Sequence, residues 1–360
     1  MGNVLISQEQ ITTSITGADA YKVRYKSYDL HGKATESTGL VIAPSVAGDN
    51  RKVMTWAHGT TGMGDASCPS AQEDPARELT LYFKSGSTTP IDYGIPGLQG
   101  FIDDGYVVVA TDYQGIGTPG IHQYTNNITN AIDSVTIVRA ARELPVGAGT
   151  KFGFIGWSQG GGALAVAELD AKDLGDLEIV GAVGMSPGVP AIALKLPGLG
   201  SAMGSGAPIP PDGHLFMILA AMVAAYPEEL SLDDVFTPLG KQLFEENWNT
   251  APVHHLSDML MRNFHRYGPV IQVNKDKLPV WMKAFEASSA AQKKPVCPIL
   301  VLIDGQDPEG PCPLPWQLGY IDAIKALGGE ITSSTYPEDD HFSLPQASVD
   351  EARTWLNSKF

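Results

Sequence analysis

The chain has 360 residues, enough to bury the core of one large α/β domain or of two smaller ones. With 43% hydrophobic and 18% charged residues it is composed like a folded globular protein, which excludes a disordered or low-complexity chain. Its 24 basic and 40 acidic residues give a net charge of −16, a field that repels nucleic acid and anionic lipid and argues against either as a partner.

Taken in chain order, residues 21–28 and 37–43 lie either side of His31-Gly32-Lys33 and predict an antiparallel hairpin. Residues 52–57 predict a strand running into His58-Gly59-Thr60-Thr61-Gly62. A helix around 97–103 precedes a buried strand at 106–110. Residues 124–143 predict a helix with Ile128, Ala131, Ile132, Val135, Val138 and Ala141 on one face. A strand at 151–157 then enters Gly156-Trp157-Ser158-Gln159-Gly160, and residues 163–169, rich in Ala and Leu, read as the helix beyond it. Another strand follows at 179–185.

From about 189 to 295 the pattern changes and offers no convincing strand. A Pro/Gly-rich loop at 196–211 leads to an apolar helix at 214–226, with further helical patterns near 231–247 and 277–290. Strands at 298–303 and 330–336 flank a helix near 314–327, and a helix at 347–358 closes the chain. Strands alternating with helices predict an α/β class with a mostly parallel central sheet covered by helices on both faces. The expected organisation is a core over 1–188, a helical cap inserted at 189–295, and the rest of the core over 296–360.

No apolar run reaches the roughly 18 residues of a membrane span, so stable membrane insertion is not expected. Residues 1–10 lack the basic and apolar regions of a signal peptide. Cys68, Cys297 and Cys312 have no zinc-site spacing. One bridge and one free thiol would be compatible with them, Cys297–Cys312 being one candidate pair.

The Gly-x-Ser-x-Gly stretch carries the chemistry. A strand, a sharp turn holding Ser158 and a following helix form the pattern of a nucleophile elbow, with the Gln159 backbone N–H facing a developing oxyanion. The motif recurs at Gly184-Met185-Ser186-Pro187-Gly188, but Pro187 has no N–H to donate, so Ser186 reads as a turn residue. A serine needs a base and the base an orienting acid. On a parallel sheet these gather at the carboxyl ends of the strands. That selects His341, after the 330–336 strand, and Asp307, after the 298–303 strand, with Asp304 the other carboxylate in that turn.

The remaining candidates are assigned by position. Thr60 and Thr61 are expected to supply the second oxyanion donor, and His58 reads as a packing residue. His31 reads as a turn residue and His122 as a loop residue. His254, His255 and His265 fall in the cap without ligand spacing, so no metal is expected. The 111–117 stretch reads either as a structural turn held by Asp112 or as a pocket wall presenting Tyr113 or Gln114. Trp157 is a further candidate substrate contact. The cap helix reads either as cap core or as an acyl tunnel lined by Phe216, Met217 and Met222, methionine being adaptable to apolar ligands.

Ala57-His58-Gly59-Thr60-Thr61-Gly62, Cys68-Pro69-Ser70, Asp112-Tyr113-Gln114-Gly115 and Gly156-Trp157-Ser158-Gln159-Gly160-Gly161 together resemble the secretory lipase family from about residue 20 onward. The resemblance implies an α/β-hydrolase fold with a helical cap inserted after the sixth sheet strand, and carboxylic-ester hydrolysis without a cofactor. The expected partner is a small-molecule ester of short to medium acyl chain. Fungal members place an acidic side chain in the oxyanion loop, where this chain has His-Gly-Thr-Thr. The family is usually exported, so a secreted or periplasmic protein is expected if a leader precedes this sequence, and a cytoplasmic one otherwise. The alternatives are an acyltransferase or serine peptidase using the same triad, or a non-catalytic binding protein of the same fold.

Overall fold

The computed structural model describes residues 3–84, 87, 89–196, 198–306 and 310–360. Its strands are β1 (Leu5–Ile11), β2 (Ala18–Tyr28), β3 (Ala34–Pro44), β4 (Arg51–Ala57), β5 (Val107–Thr111), β6 (Ala148–Trp157), β7 (Glu178–Met185), β8 (Pro208–Ile209), β9 (Ile271–Gln272), β10 (Ile299–Asp304) and β11 (Ile331–Tyr336). Nine of them form one sheet in the order β1-β2-β3-β5-β4-β6-β7-β10-β11. β5, β4, β6, β7, β10 and β11 run parallel, and β1, β2 and β3 extend the sheet antiparallel at one side.

Strand alternation divides the core into two layers. Val53, Val107, Val109, Phe152 and Phe154 face the helix Asn127–Arg142, and Val301 and Ile303 lie in the same layer with the helix Leu314–Ala326. The intervening Met54, Trp56, Val108, Ile155, Trp157, Leu300 and Leu302 face the helices Leu98–Asp103 and Leu344–Asn357. Period-2 burial on both faces is what a helix-covered parallel sheet requires. Asn126 caps the long helix by accepting from the Thr129 N–H at 3.1 Å.

The predicted hairpin is β2 and β3, several residues longer than its apolar pattern, and the Asp29 carboxylate closes its turn by accepting from the His31 and Lys33 amides. β1 has no counterpart in the predicted elements, because it is a largely exposed edge strand whose Ser-Gln-Glu-Gln centre lacks apolar alternation. The helix expected at 163–169 is instead an α-turn at Gln159–Gly162 followed by a 3₁₀ segment, Ala163–Glu168. There Gly161 and Gly162 press against the backbone at 185–188, and packing overrides propensity.

Between β7 and β10 lie the helices Pro190–Lys195, Leu199–Ser205, Gly213–Ala225, Pro238–Asn247, Val253–Tyr267 and Leu278–Ala287, with β8 and β9 paired antiparallel. This segment packs around an apolar cluster that Met63 and Tyr124 of the core join, and in it Phe216 stacks on Phe236 at 4.4 Å between ring centres. Among the described residues no helix is long and apolar enough to cross a membrane.

Candidate active site

β6 ends level with Met185 of β7, and the chain reverses at the next residue. Ser158 adopts φ 57° and ψ −113°, a conformation that a residue with a Cβ holds only under constraint. The constraint is a set of backbone bonds. The Ser158 N–H donates to the Met185 carbonyl at 2.9 Å, and the Ser158 carbonyl accepts from the Gly162 and Gly188 amides at 3.1 and 2.8 Å. A Cβ at 156 would strike the Gly160 carbonyl and one at 160 the Ala57 carbonyl, so the turn closes only with glycine at both positions.

The reversal aims Ser158 Oγ at His341 Nε2, 2.9 Å away. His341 follows β11 and is held from two sides. Trp157 Nε1 donates to its backbone carbonyl at 2.9 Å, and the Asp340 carboxylate accepts from the Phe342 and Ser343 amides, turning the chain into the last helix. The loops after β10 and β11 are tied together where the Gly305 and Gln306 amides both donate to the Asp339 carbonyl. This brings the Asp304 carboxylate to 3.4 Å from His341 Nδ1.

Asp304, the other carboxylate weighed for the acid, thus lies beside His341, and Asp307, which sequence reasoning favoured, lies outside the described residues. The strand runs one residue further than its apolar pattern, so Asp304 ends β10 instead of starting the turn. Its Oδ1 accepts from Gln317 Nε2, and its Oδ2 from Ser186 Oγ at 3.1 Å. Ser186 Oγ also lies 2.9 Å from His341 Nδ1. Ser186 is thus part of the site, a role its motif test did not look for. Ser158, His341 and Asp304 are all buried, at 5%, 2% and 2% exposure.

Ionised Asp304 can only accept, so the Ser186 hydroxyl donates to it and accepts from His341 Nδ1–H. That tautomer leaves Nε2 unprotonated, and Ser158 O–H donates to Nε2. One direction of donation runs from Ser158 through His341 and Ser186 to Asp304.

A second polar chain fixes Gln159. Its Nε2 donates to His122 Nε2 at 2.7 Å and to Asn130 Oδ1 at 3.3 Å, while His122 Nδ1–H donates to the Gln114 carbonyl at 2.9 Å. The Gln114 amide donates to Asp133 Oδ2 at 2.8 Å. Burial pushes the His122 imidazole down to about 3, keeping it the neutral acceptor Gln159 needs, and pushes the Asp133 carboxyl up to about 7. His122 lies in a loop, as its sequence suggests, but is fully buried there. His58 packs on Tyr113, with Nδ1 2.6 Å from the Gly59 carbonyl, and burial lowers its affinity for a proton.

A cavity of about 40 Å³ adjoins Ser158 and Gln159, walled by Tyr124, Val189, Ile218, Cys312 and Trp316, with His214 at one side. A larger one of about 310 Å³ lies between the β2–β3 turn and residues 168–173, but no residue of the Ser158–His341 pair lines it. Of these two, the smaller is the one that Ser158 lines.

Several expected wall residues lie elsewhere. Tyr113 is fully buried at φ 65°, its hydroxyl donating to the His58 carbonyl at 3.0 Å, and Gln114 is committed to Asp133 and His122 through its backbone. The 111–117 stretch is a structural turn in which Asp112 accepts from Thr38 and Ser70. Trp157 supports His341 from behind, because strand alternation sends it into the opposite core layer. Phe216, Met217 and Met222 face the interior of the inserted segment, and their helix offers His214 and Ile218 to the cavity instead. Thr60 reaches the cavity edge through a 2.7 Å contact of its hydroxyl with Tyr124, and the Thr61 hydroxyl is buried without a partner among the described residues. Cys68, Cys297 and Cys312 are all free, so the candidate Cys297–Cys312 bridge is not formed.

The comparisons agree with this fold. Residues 85–353 match the alpha/beta hydrolase family, and the chain belongs to that family. Among solved structures it is similar to a ligand-bound form of the rice cell wall degrading esterase LipA from Xanthomonas oryzae, at 16% identity and TM-score 0.74 over 99% of both chains. It is also similar to Candida antarctica lipase A in its closed state, at 15% identity and TM-score 0.69, covering 99% of this chain and 82% of that one. At these identities the likeness is one of fold. No curated protein matches the chain by sequence.

Proposed function

We propose that the protein is a serine esterase that hydrolyses carboxylic esters through an acyl-enzyme, with Ser158 as nucleophile, His341 as base and Asp304 as acid. The observation that carries this reading is the 2.9 Å contact of Ser158 Oγ with a His341 Nε2 left unprotonated by the bonds behind it. Ser158 Oγ attacks the ester carbonyl as its proton passes to Nε2, and the imidazolium returns that proton to the departing alcohol oxygen. Water then enters, gives a proton to Nε2 and attacks the acyl carbon. Release of Ser158 Oγ, reprotonated by Nε2, frees the acid.

The oxyanion is received by the Gln159 N–H, which opens a helix and so has no intrahelical acceptor, and by a backbone N–H of Thr60 or Thr61. The Gly160 N–H bond to the His58 carbonyl at 3.1 Å supports the loop's place beside the elbow. The segment 189–295 acts as the cap. A cavity of about 40 Å³ is small beside the several hundred Å³ of common ligand sites, which favours short acyl chains unless the cap shifts.

Initial rates on 4-nitrophenyl esters from two to sixteen carbons, with and without an added alcohol, test the reading. Hydrolysis with an optimum at the short end is expected. Transfer to the alcohol in preference to water would make the protein an acyltransferase, and no turnover of any ester would remove the esterase reading.

A further inference from the structure

We propose that Ser186 is a positioning residue of this site, its hydroxyl carrying the pull of the Asp304 carboxylate to His341; the proposal rests on the esterase reading above. Three distances make the case. Ser186 Oγ is 2.9 Å from His341 Nδ1 and 3.1 Å from Asp304 Oδ2, whereas Nδ1 and Oδ2 are 3.4 Å apart. A charge-assisted N–H···O bond usually closes to about 2.7–2.9 Å, so the direct contact is too long to be the principal one. The hydroxyl fills the place that a directly bonded carboxylate oxygen would take.

Its own placement is set by the framework that sets its partners. Ser186 sits at φ 45° just past β7, its N–H donating to the Leu302 carbonyl of β10 at 3.0 Å, two residues before the acid. Two residues on, the Gly188 N–H donates to the Ser158 carbonyl at 2.8 Å. The segment 186–188 is therefore bonded both to the strand that bears the acid and to the turn that bears the nucleophile. Ser186 is fully buried, so no bulk water replaces its hydroxyl if it is removed. Other titratable groups near the cluster are Cys312, whose thiol burial pushes up to about 12, and His214 across the cavity.

During attack no bond to Ser186 is made or broken. The Ser158 proton moves to Nε2, the Nδ1 proton stays on Nδ1 and donates to Ser186 Oγ, and the Ser186 proton stays on oxygen and donates to Asp304. The hydroxyl holds the ring and stabilises the imidazolium as a fixed dipole.

The test compares wild type, Ser186→Ala, Ser186→Cys, Asp304→Ala and the Ser186→Ala/Asp304→Ala double variant. The readouts are kcat and KM on 4-nitrophenyl acetate, Tm, and the His341 titration followed by NMR. Loss of an acceptor for Nδ1–H disfavours the protonated ring, so in Ser186→Ala the His341 pKa should fall by about one pH unit. Its kcat should fall about 10- to 100-fold with KM nearly unchanged. Ser186→Cys should recover part of the rate, and adding Ser186→Ala to Asp304→Ala should cost less than about 3-fold.

An unchanged kcat and titration in Ser186→Ala would mean that Asp304 acts by direct contact, and would overturn the proposal. So would an equal loss from Ser186→Ala in both backgrounds, or a lowered Tm with the titration unmoved. If wild type hydrolyses no ester, the esterase reading fails, and the histidine titration still decides the role of Ser186. If Asp304→Ala does not fold, the single-variant titration carries the test.

Discussion

Replacing Ile218 with alanine should lengthen the acyl chain the protein prefers. Ile218 projects from the helix Gly213–Ala225 into the wall of a cavity of about 40 Å³ beside Ser158. The change removes three carbons from that wall and opens room for about three methylenes of substrate. Each methylene moved from water into an apolar site is worth about 0.8 kcal/mol, so three give about 2.4 kcal/mol. If the transition state gains that burial fully, kcat/KM for a hexanoyl relative to an acetyl ester rises up to about 60-fold over the wild-type ratio. Ile218 is only partly buried and borders space, so the stability cost should stay near the low end for core truncations, about 2 kcal/mol. The assay is kcat/KM across 4-nitrophenyl esters of two to sixteen carbons, with Tm measured alongside. An unmoved optimum in a folded variant would show that the acyl group lies elsewhere.

Two further outcomes follow from buried groups. Asp133, raised to about 7, favours the fold below its unfolded pKa and loses that contribution as pH rises through about 7, so Asp133→Asn should gain stability relative to wild type between pH 5 and 8. Asparagine can accept from the Gln114 amide through Oδ1 and donate through Nδ2 to Ser27 Oγ, which in wild type donates to the Asp133 carboxylate; urea midpoints at the two pH values check it. His122 works the other way: its folded pKa of about 3 lies below the unfolded value, so stability is lost as pH falls below about 6.5, and in Asp133→Asn that acid loss should stand unopposed. The three cysteines are free and buried. A thiol reagent should therefore label none quickly in the native protein and all three in denaturant, and prior reduction should change neither count.

Much of the site was legible because its chemistry sits where strands end. Ser158 and His341 follow apolar runs whose direction and order constrain them, and the glycines at 156 and 160 announce a turn no other residue would close. The proposed acid was harder. The apolar pattern of β10 stops at Ile303 while its ladder continues to Asp304, paired with Tyr336, and that one further residue of strand brings the Asp304 carboxylate to the histidine. Ser186 escaped because a test for a nucleophile says nothing about a hydroxyl that bridges base and acid. On the cap helix the residues 215–223 are apolar all round, so periodicity could not tell Phe216 and Met217, which face inward, from Ile218, which faces the cavity. Tyr113 and Gln114 lie at the reactive edge in sequence, yet a left-handed turn at Tyr113 folds both into the core.

The central claim is that Ser158 is the nucleophile of an ester hydrolase. It is tested most directly by the hydrolysis rate of 4-nitrophenyl acetate, wild type beside Ser158→Ala. Measurable turnover is expected, falling by about 10⁴-fold or more in the variant, with the fold intact by Tm. Equal rates in the two proteins would place the chemistry elsewhere and contradict it.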